Sequence, residues 1–210
     1  YLKDKTFAGL HLNTDFKDEQ LALGRAFSFA YGDKENGAFF NHMTVMFAYA
    51  LYKRGFVKEG FKTLNSIYIM ATNTKQSKIY PCLPEYFNNQ GRGMYSYLTG
   101  SASWYILTIL TQVFGVRGEY GDFIIEPKLT KEQFKNAHTL SLSTTFAERE
   151  IKVNFLNPLK KDFDKYFIRK INFNNEIIAN NTKNSRWAIK RDLFLKLAKN
   201  PVNIIEVTLA

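Results

Sequence analysis

The sequence predicts an α+β chain, with helices first and antiparallel strands after them. From Phe39 to Thr72, and again from Ala102 to Phe114, apolar residues recur at helical spacing or in long runs. Beyond Val116 they alternate with polar residues, as in half-buried strands. An apolar fraction of 45% over 210 residues can build a real core, in one domain or two small ones. Helices followed by strands indicate two domains or segregated layers, so the boundary is set near Val116, with 1–116 before it and 117–210 after it.

The elements follow in order. Asp18 to Phe29 fits a helix, although Arg25 to Tyr31 also alternates in part as a strand does. Gly32-Asp33-Lys34-Glu35-Asn36-Gly37 is dense in turn formers and feeds Phe39 to Lys53, apolar enough to be a buried helix, with His42 in its first turn. Arg54-Gly55 ends that helix. Val57, Phe61, Leu64, Tyr68 and Ala71 then mark the stripe of a second, and so short a turn makes the two an αα-hairpin. Thr72 to Gly93 is a long connection, a kind that is often functional.

The polar turn Tyr95-Ser96-Tyr97-Leu98-Thr99-Gly100-Ser101 opens a helix that is apolar on nearly every side, which predicts burial in a core. Gly115 is its stop. Strands are expected around Phe123-Ile125, Leu140-Leu142, Ile151-Phe155, Phe167-Phe173 and Ile205-Leu209, with turns at Asn157-Pro158 and Asn174-Asn175. Lys190 to Lys199 fits either strand or helix.

Net charge is +10, but it is dispersed. Residues 1–116 hold 12 basic and 8 acidic groups, and 117–210 hold 17 and 11. A nucleic-acid footprint needs clustered charge, so a solvated surface is the expectation and nucleic acid is set aside. No apolar run is long enough to span a membrane. One cysteine, Cys82, excludes an internal disulfide framework and suits a cytoplasmic protein. The chain starts at Tyr1 rather than Met and is expected to be part of a longer one.

Two small polar clusters open two apolar helices. Lys34-Glu35-Asn36-Gly37 with His42 is one, and Thr99-Gly100 is the other. Together they offer a cation, an imidazole, a hydroxyl and free N–H groups, which suits phosphate. Each alone reads more simply as a helix cap, a satisfied core histidine or a solvated turn. A metal site is not expected: His11, His42, His138 and Cys82 share no ligand spacing. There is neither a G-x-S-x-G elbow nor a Walker loop. Glu35 and Glu85 sit in suggestive loops, but spacing does not pair them.

Taken jointly, Lys34-Glu35-Asn36-Gly37-Ala38-Phe39-Phe40-Asn41-His42, Tyr97-Leu98-Thr99-Gly100-Ser101-Ala102-Ser103-Trp104, Gly115-Val116-Arg117 and Ile125-Glu126-Pro127-Lys128-Leu129 resemble the C-terminal part of the inverting β-glucoside phosphorylases of glycoside hydrolase family ninety-four. The family includes the cellobiose phosphorylases. Tyr80 to Tyr86 and Gly91 to Tyr95 are most similar to its 1,2-β-oligoglucan phosphorylase-like branch. The resemblance implies the last helices of an (α/α)6 barrel followed by a β-sandwich domain. It implies phosphate binding by His42, Thr99 and Gly100, and sugar contact by Lys34. The catalytic Asp and a phosphate-binding Arg are expected N-terminal to Tyr1, so no catalytic residue is assigned within this chain. Asn41 and Met43-Thr44 stand where members differ, which leaves the acceptor sugar open.

The implied reaction is cleavage of a β-glucosidic bond by inorganic phosphate to give α-glucose 1-phosphate. Phosphate is then a substrate, no resident cofactor is required, and a β-linked gluco-oligosaccharide is the other partner. The fragment alone is expected to be inactive, and exposed barrel surface gives it a route to a homodimer. A non-catalytic carbohydrate-binding module on the same fold and a related hydrolase are the alternatives.

Overall fold

A computed structural model describes residues 2–7, 9–18, 20–80, 82–97 and 100–210. These fall into two compact units, Tyr1–Thr108 and Ile109–Ala210. The chain is α+β, mixing helices with largely antiparallel sheets.

In the first unit, the stretch expected as helix or strand forms two short 3-10 turns instead, Leu21–Leu23 and Arg25–Ser28, with Gly24 between them. Strand β1 (Phe39–Phe40) leads directly into helix α1 (Asn41–Lys53). Helix α2 (Val57–Thr72) follows as the second arm of the αα-hairpin, and α3 (Thr74–Ser77) adds one turn. The long connection is partly ordered into β2 (Tyr86–Phe87) and β3 (Gly93–Met94), which complete a small antiparallel sheet in the order β1-β2-β3. Helix α4 (Gly100–Thr108) closes the unit.

Three expectations shift here. Helix α1 starts at Asn41 rather than Phe39 and is not buried all round, because Met43, Met46 and Phe47 are exposed. The buried stripe of α2 runs through Val57, Gly60, Leu64, Ile67 and Met70, while Tyr68 is exposed. The cause is small-residue packing: a Cβ on Gly60 would lie 2.6 Å from the ring of Tyr52 on α1, so the helices close on that face. Helix α4 is not the buried core helix its composition predicts. It buries Ser101 and Thr108 but leaves Ile106 59% and Leu107 43% exposed. Trp104 packs edge-on against Tyr49 of α1, and the Tyr105 hydroxyl donates to the Leu64 carbonyl, which fastens α4 to α1 and α2.

In the second unit, a π turn spans Ile109–Val113. Strands β4 (Val116–Glu119) and β5 (Asp122–Ile125) pair antiparallel, α5 (Lys131–Phe134) carries a Thr130/Gln133 capping box, and β6 (Thr139–Phe146) and β7 (Arg149–Leu156) form a hairpin. A second hairpin, β8 (Ile168–Phe173) and β9 (Glu176–Asn184), turns at Asn174-Asn175, both with positive φ. Strand β10 (Trp187–Ile189) joins β5, and the ambiguous segment is helix α6 (Arg191–Leu197).

The last strand, β11 (Val202–Leu209), corrects the all-antiparallel expectation. It inserts between the two hairpins to give the order β6-β7-β11-β8-β9, and its pairing with β7 is parallel. Ile151, Val153, Phe155, Ile205, Val207 and Leu209 bury one face of the resulting sheet. Phe123 of β5 meets Phe146 of β6 and Phe194 of α6 at ring separations of 5.1 and 5.4 Å, which joins the three-stranded sheet to the five-stranded one.

Candidate functional site

Of the residues that sequence reasoning singles out, Lys34, His42, Glu85 and Gly100 lie in the first unit. The Lys34-Glu35-Asn36-Gly37 turn is built by two of its members and leaves the other two side chains for polar work. Asn36 is buried, donates its side-chain amide to the Phe29 carbonyl at 2.7 Å and accepts from Asn13. Gly37 has φ +78° and gives its N–H to the Asn13 side chain, and a Cβ there would strike the Tyr31 ring. Glu35 pairs with Arg25 at 2.9 Å through Oε1, while its Oε2 is buried with no hydrogen-bond partner among the described residues.

Lys34 points its ammonium into a polar and aromatic corner. Nζ lies 2.8 Å from Glu85 Oε2 and 3.5 Å from the centre of the Tyr95 ring. The two charged side chains are only 15% and 20% exposed. Burial works against the charge on Lys34, but the Glu85 hydrogen bond and charge, with Tyr95 and Tyr86 beside it, outweigh burial and hold its pKa above the ordinary lysine value.

The same loop anchors both helix starts. The Asn41 N–H donates to the Glu85 carbonyl at 3.0 Å, and its side-chain amide donates to the Pro84 carbonyl at 2.8 Å. The Ser101 hydroxyl, one residue into α4, also donates to the Pro84 carbonyl, at 3.4 Å. The carbonyls of Pro84 and Glu85 therefore hold the first turns of α1 and α4 together.

His42 and Gly100 meet at that junction. A Cβ built on Gly100 would lie 2.9 Å from His42 Cε1 and 3.1 Å from Nε2, so the glycine is what lets the imidazole lie against the start of α4. Trp104, one turn further along α4, has its ring 6.3 Å from the imidazole. His42 Nε2 is buried with no hydrogen-bond partner among the described residues. Such an atom costs about 1–3 kcal/mol unless a ligand or another group completes it. Two helix N-termini, with their N–H groups and positive dipole ends, flank an imidazole there, an arrangement that suits an anion. Thr99, the third residue assigned to phosphate, lies outside the described residues.

The structure thus brings His42 and Gly100 into contact and links Lys34 to them through Glu85. Sequence reasoning leaves Glu85 without a partner and gives Asn41, Pro84 and Tyr95 no role in holding the site. Of the other histidines, His11 bonds the Gly37 carbonyl and stacks 4.2 Å from Phe39, a structural role. Among the described residues, no group of three or more His, Cys, Asp or Glu side chains is placed to hold a metal ion, and no helix is long and apolar enough to cross a membrane.

No protein-family pattern matches the chain. The chain is 28% identical to cellobionic acid phosphorylase of Neurospora crassa over an alignment that covers 57% of this chain and 18% of that enzyme. The chain therefore spans less than a fifth of the length of the curated relative it matches, and its likeness to a phosphorylase is distant and partial.

Proposed function

We propose that this chain is the C-terminal portion of an inverting glycoside phosphorylase that cleaves a β-glucosidic bond with inorganic phosphate. The observation that carries the reading is the contact between His42 and Gly100 at the paired starts of α1 and α4, with His42 Nε2 buried and unpartnered among the described residues. The partial likeness to a phosphorylase supports the reaction class. The apolar faces left exposed by Met43 and Phe47 on α1 and by Ile106 and Leu107 on α4 fit helices that belong to a larger barrel.

The chemistry follows from phosphate being an anionic nucleophile already. An inverting glycosidase needs one carboxylic acid to protonate the leaving oxygen and a second carboxylate to activate water. A phosphorylase dispenses with the second and needs groups that place phosphate opposite the leaving group. In this reading His42, Thr99 and the Gly100 N–H hold phosphate. A phosphate oxygen bonds to the anomeric carbon as the glycosidic bond breaks. The leaving oxygen takes its proton from an aspartic acid assigned N-terminal to Tyr1. Lys34 contacts the sugar, and no resident cofactor takes part.

The reading is tested by steady-state kinetics of the natural full-length protein with varied phosphate. His42→Ala and Thr99→Val should each raise KM for phosphate or abolish turnover while the melting temperature changes little. Unchanged phosphate kinetics in both variants would overturn the assignment.

A further inference from the structure

We infer that Glu85 is a positioning residue that orients Lys34 for the sugar and ties that orientation to the phosphate end of the site; the sugar part of this inference rests on the function proposed above. Glu85 Oε2 accepts a hydrogen bond from Lys34 Nζ at 2.8 Å, and the Tyr95 ring, its centre 3.5 Å from Nζ, faces the ammonium from another direction. An ammonium has three donors, so one remains for a ligand hydroxyl. Glu85 is itself fixed by two backbone hydrogen bonds. Its N–H donates to the Tyr95 carbonyl at 3.1 Å, and its carbonyl accepts the Asn41 N–H at 3.0 Å, immediately before His42. Tyr86, the next residue, stacks on Phe40 with the two rings only 2° from parallel, in the register that leads into α1. Tyr95, whose ring lies over Lys34, has a left-handed φ of +59°, an uncommon conformation for a non-glycine residue. One residue therefore holds the sugar-side cation by its carboxylate and the His42 helix by its carbonyl.

The charge of the carboxylate, rather than its bulk, is what this role requires. Glu85→Gln keeps the shape and the backbone bonds but removes the charge. In the natural full-length protein, Glu85→Gln should raise KM for the sugar about tenfold, equivalent to about 1.4 kcal/mol, with KM for phosphate within about twofold of wild type. In a Lys34→Met background the same change should have no further effect. Glu85→Asp, which keeps the charge, should recover part of the loss. Equal costs of Glu85→Gln with and without Lys34, or parallel rises in both KM values, would overturn the positioning role.

A second readout does not need turnover. Reductive methylation with carbon-13 formaldehyde gives each lysine an NMR signal whose titration can be followed. The Lys34 signal should titrate at lower pH in Glu85→Gln than in wild type, because burial then acts without its counter-charge. An unchanged titration would show that Glu85 does not hold Lys34. If the wild type makes no sugar phosphate but the Lys34 titration still moves, the functional reading fails and the Glu85–Lys34 link stands.

Discussion

His42 and Gly100, 58 positions apart in the sequence, are placed so that a single methyl on the glycine would collide with the imidazole. A Cβ there would come within 2.9 Å of His42 Cε1, and no positive φ forces glycine at this position. The requirement for glycine is thus the neighbour and not the backbone. Gly100→Ala should displace the ring while leaving α4 intact. KM for phosphate is expected to rise about tenfold, about 1.4 kcal/mol, with KM for the sugar nearly unchanged. Saturation kinetics in each substrate would check this.

Gly115 is required for both reasons. Its φ is +64°, and a Cβ would run into the backbone carbonyl of Glu126, whose N–H donates to the Gly115 carbonyl at 2.9 Å. The left-handed backbone and the clash together predict that Gly115→Ala costs at least about 2 kcal/mol. Urea unfolding followed by circular dichroism measures it.

Tyr166 is the polar pin of the second unit. Its buried hydroxyl accepts the Leu129 N–H at 2.7 Å and donates to the Pro127 carbonyl at 3.0 Å. Tyr166→Phe strands those groups and should cost about 1–3 kcal/mol. Burial raises the Tyr166 pKa well above its ordinary value, against a smaller opposing effect of the Leu129 N–H. The unfolded chain then gives up this proton near pH 10, whereas the folded chain keeps it. The stability that Tyr166 contributes is full below pH about 10 and falls as pH rises beyond it. Melting curves at pH 9 and above should show a steeper alkaline loss in wild type than in Tyr166→Phe.

Much of this architecture is legible in the sequence, and the gaps have physical causes. The αα-hairpin of α1 and α2, the turn at Asn174-Asn175 and five of the strands follow from local pattern, although the buried face of α2 does not. Strand β9 is not legible: it is a sheet edge whose Glu176–Asn184 buries only Ala179, so it lacks an apolar alternation. The parallel seat of β11 depends on a pairing partner about fifty residues away, which no local period encodes. Helix α4 misleads through composition, because apolar residues on every side predict burial whatever covers them.

The candidate site divides the same way. Lys34, His42 and Gly100 are legible as residue types in a familiar arrangement, whereas the contact between His42 and Gly100 is not. Glu85 is visible only as an unpaired carboxylate. Its partner lies 51 residues earlier, and the pairing exists because β1 and β2 bring Phe40 opposite Tyr86.

Product identity decides whether a glycosidic bond is broken by phosphate or by water. The natural full-length protein would be incubated with inorganic phosphate and a panel of β-linked gluco-oligosaccharides, and the products would be resolved by NMR. α-Glucose 1-phosphate is expected from at least one sugar, with its formation weakened or lost in His42→Ala. Free glucose formed without any sugar phosphate would contradict the proposed reaction and leave His42 and Gly100 as a packing contact between two helix starts.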